Sequence, residues 1–302
     1  MVKRLITGTV YVAVLVGFFF LRLVDHRLFG ILIYAFSLLG TYEMLHAFSH
    51  AKGEGTEGNV SAPALSQKIA VWVYAGLFTP LFYFCEWLEK GSGYRGLLIL
   101  SFAFAVVLFC LLVIDHKNTT LGGTGASLLV GVYPTAILAT MLLANGLWQA
   151  STLALLLIFV ISPVADTFAF LTGSLIGGRK LCPTISPHKT VAGAVGGVVF
   201  GTGASVLLYW LYTVCTGYVY AGVGAGWAGT PWVLFAALGL VTSLLTEFGD
   251  LVESVIKRRL GVKDMGNLLP GHGGVLDRID GTLFASMIVY ILFALLIVPP
   301  LV

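Results

Sequence analysis

The sequence is poor in charged residues: Asp, Glu, Lys and Arg together make up only 10% of its 302 residues. A soluble globular domain carries roughly 25% charged residues, because water has to solvate its outer surface. Here 58% of the residues are hydrophobic, so the outer surface has to face lipid instead. The net charge of +3 is too small to favour nucleic acid as a partner. The composition predicts an integral membrane protein.

Closely spaced cysteine pairs are also missing from the sequence. Its four cysteines lie far apart and form no Cys-x-x-Cys pair: Cys85, Cys110, Cys182 and Cys215. Most of them lie in or beside apolar runs, where cysteine behaves as a small hydrophobic residue. This distribution argues against a disulfide framework and against a metal site made of thiolates.

Long apolar runs recur along the whole chain. A helix needs about 20 apolar residues to cross the hydrocarbon core of a bilayer. Nine segments meet this requirement: 5–24, 28–48, 69–88, 96–114, 124–145, 148–172, 191–214, 231–256 and 282–300. The first is longer than the apolar part of a typical signal peptide, so we expect it to be a membrane span. The predicted fold is all-α, a bundle of about nine transmembrane helices.

The lysines and arginines predict the orientation of these spans. With the N-terminus in the cytoplasm, 13 of the 17 basic residues fall on the cytoplasmic side. The positive-inside rule therefore favours a cytoplasmic N-terminus and an external C-terminus. The two basic loops near the C-terminus are separated by two spans and so share one side. We expect residues 1–150 to serve lipid access or dimer contacts, and residues 151–302 to form the catalytic region.

Acidic residues concentrate in the C-terminal third. Six of the 14 acidic residues fall within one 34-residue stretch: Glu247, Asp250, Glu253, Asp264, Asp277 and Asp280. Helical spacing places Asp250, Glu253, Ser254 and Lys257 on one face of a helix. Asp277 and Asp280 lie three residues apart at the start of the last span. Carboxylates in membrane helices usually face the bundle interior or a wet cavity, because lipid cannot solvate them.

Two such carboxylate pairs from neighbouring helices would form an all-oxygen site suited to Mg²⁺, with positions open for substrate phosphates. Lys257 and Arg278 would neutralise phosphate oxygens. The turn His272-Gly273-Gly274 would let backbone amides approach an anion closely. The pattern thus predicts a metal-dependent enzyme that acts on phosphates.

Simpler interpretations stay open for some of these residues. Glu253 is spaced to form a salt bridge with Lys257, and Arg259 and Lys263 are placed like ordinary positive-inside anchors. Asp166 lies in an otherwise apolar span. It would either line the same polar cavity or pair with a buried hydroxyl or lysine.

The C-terminal residues resemble the signature of a known family, the phosphatidate cytidylyltransferases, also called CDP-diacylglycerol synthases. The resemblance covers 27 residues without a gap, in the run Ser254-x-Ile256-Lys257-Arg258-x4-Lys263-Asp264-x-Gly266-x2-Leu269-Pro270-x-His272-Gly273-Gly274-Val275-x-Asp277-Arg278-Ile279-Asp280. Three further blocks look like those of the family: Gly249-Asp250-Leu251-x-Glu253-Ser254, Asp166-Thr167-x-Ala169-Phe170 and Ile185-Ser186-Pro187-x-Lys189-Thr190-x-x-Gly193.

The resemblance implies a reaction in which CTP and phosphatidic acid give CDP-diacylglycerol and pyrophosphate. It implies a nine-span helical bundle that is active as a homodimer. Asp250, Asp277 and Asp280 match the metal-binding carboxylates of the family, and Lys257 matches a lysine of its active centre. We expect the substrates to be bound by Ser186, Lys189, Ser254, His272, Gly273, Gly274, Arg278 and Asp166.

The expected cofactor is Mg²⁺, with a second cation for which K⁺ is a candidate. The expected location is a bacterial inner membrane, with the active site on the cytoplasmic side, where CTP is available. The chain departs from the family pattern at three places, although the carboxylate set is intact. His188 replaces a usual lysine, Val191-Ala192 replaces an aromatic–acidic pair, and Glu247 replaces a common glutamine.

Other functions would use the same polar residues differently. A CTP-dependent kinase of a membrane lipid alcohol would transfer the γ-phosphate and release CDP. A CDP-alcohol phosphotransferase is disfavoured because Asp277-x-x-Asp280-Gly281 matches only a fragment of its motif. A secondary transporter with ion sites at Asp166 and Asp250 would usually contain internal repeats, whereas here the polar residues are confined to one end of the chain.

Overall fold

The structure, a computed structural model, describes residues 2–51, 61–147, 150–219, 231–269, 271 and 273–297. Its helices are α1 (Val2–Val24), α2 (Leu28–Ser49), α3 (Leu65–Leu88), α4 (Gly93–Ile114), α5 (Leu121–Val130), α6 (Ile137–Asn145), α7 (Ser151–Ile176), α8 (Val191–Thr216), α9 (Pro231–Leu260) and α10 (Leu276–Leu292). Two short antiparallel strands, β1 (Lys180–Cys182) and β2 (Ser186–Thr190), connect α7 to α8.

Nine helical segments within these ranges are long and apolar enough to cross a membrane. Each coincides with one predicted span, so the prediction of an all-α, multi-pass membrane protein is confirmed. The fifth span is composite, because a π-helical turn at Gly131–Ala136 that contains Pro134 joins α5 to α6. The last span begins at Leu276, earlier than the predicted residue 282, so Asp277 and Asp280 lie inside α10.

The chain divides into two compact units. Unit 1 contains residues 1–142 and 256–279, and unit 2 contains residues 143–255 and 280–302. Unit 1 therefore joins most of the signature segment to the N-terminal helices. Its α2 is buried over much of its length, including Phe29, Ile33 and Met44. The hydroxyl of Thr135 lies 3.1 Å from those of Ser37 and Thr41, which gives these buried polar groups partners.

In unit 2, small residues bring α7 and α8 close together. A Cβ atom added to Gly193 would lie 2.6 Å from the Ala169 carbonyl oxygen, and one added to Gly197 would lie 2.9 Å from the Ala165 carbonyl oxygen. Neighbouring helices in membranes commonly associate through such small residues, because the backbones can then pack directly. This close packing fixes the position of α8 beside α7.

Substituting Gly197 with alanine should therefore destabilise the protein. The added methyl group would lie 2.7 Å from Glu247 Oε1 as well as against the α7 backbone, and such overpacking costs about 1–3 kcal/mol. Gly203, on the same helix, has no atom within 4 Å of its added Cβ, so Gly203→Ala is the matched control. Thermal unfolding in detergent should show a lower midpoint for Gly197→Ala only, and equal midpoints would contradict the packing argument.

The segment between α7 and α8 is a β-hairpin, where the sequence predicted one of the two basic loops. Lys180 pairs with Thr190 and Cys182 pairs with Ser186, with an irregularity between the two pairs. Strand pairing gives backbone groups hydrogen-bond partners that a plain loop would leave to water. Thr190 then caps α8, since its hydroxyl oxygen accepts the Gly193 N–H at 3.0 Å. The cap fixes the start of α8 at Val191, two residues after Lys189.

Candidate active site

Lys189 contacts two carboxylates of α9 in unit 2. Its ammonium nitrogen lies 3.0 Å from Glu247 Oε2 and also forms an ion pair with Asp250. Burial alone would lower the pKa of Lys189, but the carboxylates of Asp250 and Glu247 outweigh it, so the pKa is raised above its ordinary value. Lys189 is therefore a stable cation at neutral pH, although its side chain is only 20% exposed.

Asp166, on α7, faces the same group of charges. The charges of Asp280, Asp250, Glu247 and Lys189 all act on its carboxylate. Asp166 is exposed, and its carboxylate has no hydrogen-bond or ion-pair partner in the described part of the chain. The predicted place of Asp166 in the wall of a polar cavity stays a prediction. We call Asp166, Lys189, Glu247, Asp250 and Asp280 the acidic cluster.

Glycine allows α9 and α10 to approach each other beside this cluster. A Cβ atom added to Gly249 would lie 2.6 Å from the Phe284 ring and 3.0 Å from the Asp280 carbonyl oxygen. The helices can therefore meet at Gly249 only because it lacks a side chain. Asp250 follows Gly249 directly, so this contact brings the backbones that carry Asp250 and Asp280 together.

Glu247 is absent from the predicted set of site residues, although it lies one helical turn before Asp250. Its Oε1 atom is buried and has no hydrogen-bond partner among the described residues. The neighbouring hydroxyls of Ser243 and Thr246 are also buried without such partners there. A buried polar oxygen without a partner costs free energy unless an ion or water satisfies it. The spacing of three from Asp250 was the sequence signal for Glu247.

The acidic cluster has the chemistry to hold a divalent cation. Glu247 and Asp250 share one ammonium, that of Lys189, and Asp166 adds a further negative charge beside them. Uncompensated charge is costly within a membrane helix. Mg²⁺ takes oxygen ligands and is usually held by one or two carboxylates together with water and substrate phosphates. No group of three or more His, Cys, Asp or Glu side chains forms a ready metal cage within the described ranges. The residues fit Mg²⁺ as a partial site that phosphate oxygens would complete.

Asp277 organises the signature segment in unit 1. Its Oδ1 accepts a hydrogen bond from Lys257 Nζ at 2.8 Å. Its Oδ2 accepts the Met265 N–H at 2.9 Å and the Gly274 N–H at 2.8 Å. The side chains of Asp277 and Lys257 are only 4% and 14% exposed. The carboxylate thus fixes both the loop before α10 and the Lys257 ammonium, and its predicted role as a metal ligand stays a prediction.

The glycine turn of the signature has a backbone conformation that depends on glycine. Gly273 has a φ of 82°, a conformation that favours glycine, and its carbonyl oxygen accepts the Leu269 N–H at 2.9 Å. The amide of Gly274 approaches an anion, and that anion is the side chain of Asp277. His272, which belongs to the same predicted turn, lies outside the described residues.

The other predicted residues occupy three different positions. Ser186 begins β2 and is half-buried, Ser254 is half-buried on α9, and Arg278 is exposed in the first turn of α10. Their predicted roles in substrate binding stay predictions. Unit 2 brings Asp250 and Asp280 together with Asp166 and Lys189. Asp277 and Lys257 belong to unit 1, and the predicted meeting of Asp277 with Asp250 stays a prediction.

Glu43, on α2, is a buried residue that the sequence interpretation missed. It is 2% exposed, and its two carboxylate oxygens accept the N–H groups of Val275 and Leu276, each at 2.8 Å. The available signal was its isolation as a single carboxylate in the apolar span 28–48, because ionisable residues inside membrane helices usually have a function.

Known proteins resemble this chain along most of its length. The profile of the cytidylyltransferase family matches residues 2–296. The chain is 31% identical over 296 residues to a phosphatidate cytidylyltransferase of Bacillus subtilis (strain 168), covering 98% of both chains. It is 34% identical over 205 residues to one of Brucella abortus biovar 1 (strain 9-941), covering 68% of this chain and 69% of the relative. Because the family profile and the Bacillus subtilis relative both match nearly the whole length of the chain, this chain belongs to the cytidylyltransferase family.

Proposed function

We propose that this protein transfers the cytidylyl group of CTP to phosphatidic acid, giving CDP-diacylglycerol and pyrophosphate. The observation that carries the proposal is the similarity to a phosphatidate cytidylyltransferase over 98% of both chains. The membrane-spanning helices suit a lipid substrate, and the acidic cluster suits a phosphate reaction that uses a divalent cation. The same matches give no support to the lipid-alcohol kinase.

The reaction requires little proton transfer. An oxygen of the phosphatidic acid phosphate attacks the α-phosphorus of CTP, and the bond from that phosphorus to the bridging oxygen of pyrophosphate breaks. The attacking oxygen is already anionic near neutral pH, so no strong general base is required. Catalysis then depends on positioning the two phosphate groups and on neutralising their charge.

The proposed roles follow from the surroundings of each side chain. Asp250 and Asp280 would hold Mg²⁺, with Asp166 beside them, because these oxygens belong to one acidic cluster. Bound Mg²⁺ supplies charge neutralisation between the two negatively charged substrates. Lys257 would donate to phosphate oxygens, since an ammonium has three donors and Asp277 holds this one in place. Lys189 would do the same from β2, just before α8.

The location of the site on the cytoplasmic side is also part of the proposal. It is supported by the distribution of basic residues, of which 13 of 17 fall on the cytoplasmic side when the N-terminus is cytoplasmic. The resemblance to the family extends the proposal to a second cation, for which K⁺ is a candidate, and to a homodimer.

Labelled CTP distinguishes the proposed reaction from that of a lipid kinase. Purified protein would be incubated with phosphatidic acid, a membrane lipid alcohol, Mg²⁺ and CTP labelled at either the α- or the γ-phosphate. The transferase should place the α label in the lipid and the γ label in pyrophosphate, and chelation of Mg²⁺ should stop both. Transfer of the γ label to a lipid alcohol, with release of CDP, would overturn the proposal.

A further inference from the structure

The carboxylate of Glu43 caps a helix that lies 233 residues further along the chain. The first N–H groups of an α-helix have no partners within the helix, and a side chain just before the helix usually accepts from them. Val275 occupies that position before α10 and has no oxygen in its side chain. Glu43 supplies both acceptor oxygens instead, and its negative charge also suits the N-terminal end of the helix dipole.

Two glycines of the signature make room for this carboxylate. A Cβ atom added to Gly266 would lie 2.6 Å from Glu43 Oε1, and one added to Gly274 would collide with both carboxylate oxygens. Neither glycine has a positive φ, so the backbone conformation at these positions is open to other residues. The reason for glycine at 266 and 274 is therefore the space that the Glu43 side chain occupies.

The same short segment also contains the groups bound by Asp277. The N–H of Gly274 donates to Asp277, and the next two N–H groups, those of Val275 and Leu276, donate to Glu43. Three consecutive amides are thus held by two carboxylates, one from α10 itself and one from α2. Asp277 in turn holds the Lys257 ammonium at 2.8 Å. Displacement of the segment would move both Asp277 and Lys257.

We propose that Glu43 is a positioning residue for the cytidylyl transfer: its carboxylate, seated between Gly266 and Gly274, fixes the turn that orients Asp277 and Lys257. This inference rests on the proposed function. It gives the N-terminal helices a part in the chemistry beyond the predicted lipid access or dimer contacts. Glu43 acts through Asp277 and Lys257 and is not itself a catalytic residue.

Kinetic constants of Glu43 variants test this role. Glu43→Ala should lower kcat for CDP-diacylglycerol formation and raise KM for CTP, with kcat/KM falling about 100-fold, because small displacements of reacting groups have effects of that size. A fraction of unfolded protein would lower kcat but leave KM unchanged. Glu43→Gln keeps the shape and one acceptor oxygen, so it should recover part of the loss.

Thr41→Ala is the matched control. Thr41 lies on the same helix, is fully buried and makes a hydrogen bond to Thr135 that does not involve the signature segment. It should lower the thermal midpoint while keeping KM for CTP within about twofold of wild type, because its contacts lie away from the reacting groups. Equal changes of KM in Thr41→Ala and Glu43→Ala would overturn the proposal.

A double-mutant cycle tests the glycine pocket directly. Gly274→Ala should lower kcat/KM by about 10-fold or more with Glu43 present, and should add little in the Glu43→Ala background, where the space is vacant. If the two changes lowered kcat/KM independently, so that their effects multiplied, Glu43 would not be the group for which Gly274 makes room.

Wild-type protein that forms no CDP-diacylglycerol would overturn the proposed function and this inference together. Active wild type with unaffected Glu43 variants would overturn the inference alone.

Discussion

Asp280→Asn should abolish detectable formation of CDP-diacylglycerol, a loss of about 1,000-fold or more, while the protein stays folded in the membrane. Asparagine has nearly the same shape but removes the negative charge that Asp280 contributes beside Asp166 and Asp250. Loss of one electrostatic contributor to a transition state typically costs about 100–1,000-fold. Here the same change would also remove an oxygen ligand for Mg²⁺.

Asp115→Asn provides the control for this loss. Asp115 lies at the end of α4, accepts a hydrogen bond from Ser66 at 2.7 Å and does not belong to the acidic cluster. Rates should be measured with labelled CTP over a range of Mg²⁺ concentrations, with membrane insertion checked for both variants. If Asp280→Asn turned over at a near-normal rate at ordinary Mg²⁺ concentrations, Asp280 would not be a metal ligand.

Lys257→Ala should lose activity far more than Arg259→Ala, although both side chains lie in the last turn of α9. Lys257 is nearly buried and paired with Asp277, whereas Arg259 is exposed. Removing Lys257 would leave the Asp277 carboxylate without this cation, and breaking a buried pair typically costs about 3–5 kcal/mol. We expect at least about a 100-fold loss of kcat, since Lys257 would also contact phosphate oxygens.

Arg259→Ala, in contrast, should keep activity within about twofold of wild type, because exposed charges at helix ends contribute little. Both the steady-state rates and the unfolding midpoints in detergent should be measured. If the order of the two activities were reversed, the wrong face of α9 would have been assigned to the site. Lys257→Arg adds a further comparison, since its planar guanidinium does not replace a compact ammonium at a confined position.

The nine spans were predictable because each depends on a local property, an apolar run long enough to cross a bilayer. The placement of Asp250 and Lys257 on one helix face was also predictable from a local property, their spacing along one continuous helix. The start of α10 was placed too late, because Asp277 and Asp280 interrupt the apolar run that marks a span. In the structure these two charged residues belong to the helix.

The roles of Glu43 and Lys189 could not be obtained in full from the sequence. The contact between Glu43 and Val275 joins residues 232 positions apart, and no periodic pattern encodes such a distance. The ion pairs of Lys189 depend on the hairpin and on the Thr190 cap, which together place it against α9. Long-range packing decides such contacts, whereas spacing along one helix decides only which residues share a face.

The remote cap of α10 has a consequence for biosynthesis. Synthesis proceeds from the N-terminus, so Glu43 enters the lipid before the ribosome has made Gly266, Gly274 and the amides that bind its carboxylate. An ionised carboxylate within a membrane helix is costly, by up to about 2.5–3.5 kcal/mol at the helix centre on insertion scales. Nascent chains that stop before residue 266 would therefore retain this penalty, and it would be relieved only when the residues that bind Glu43 have been made.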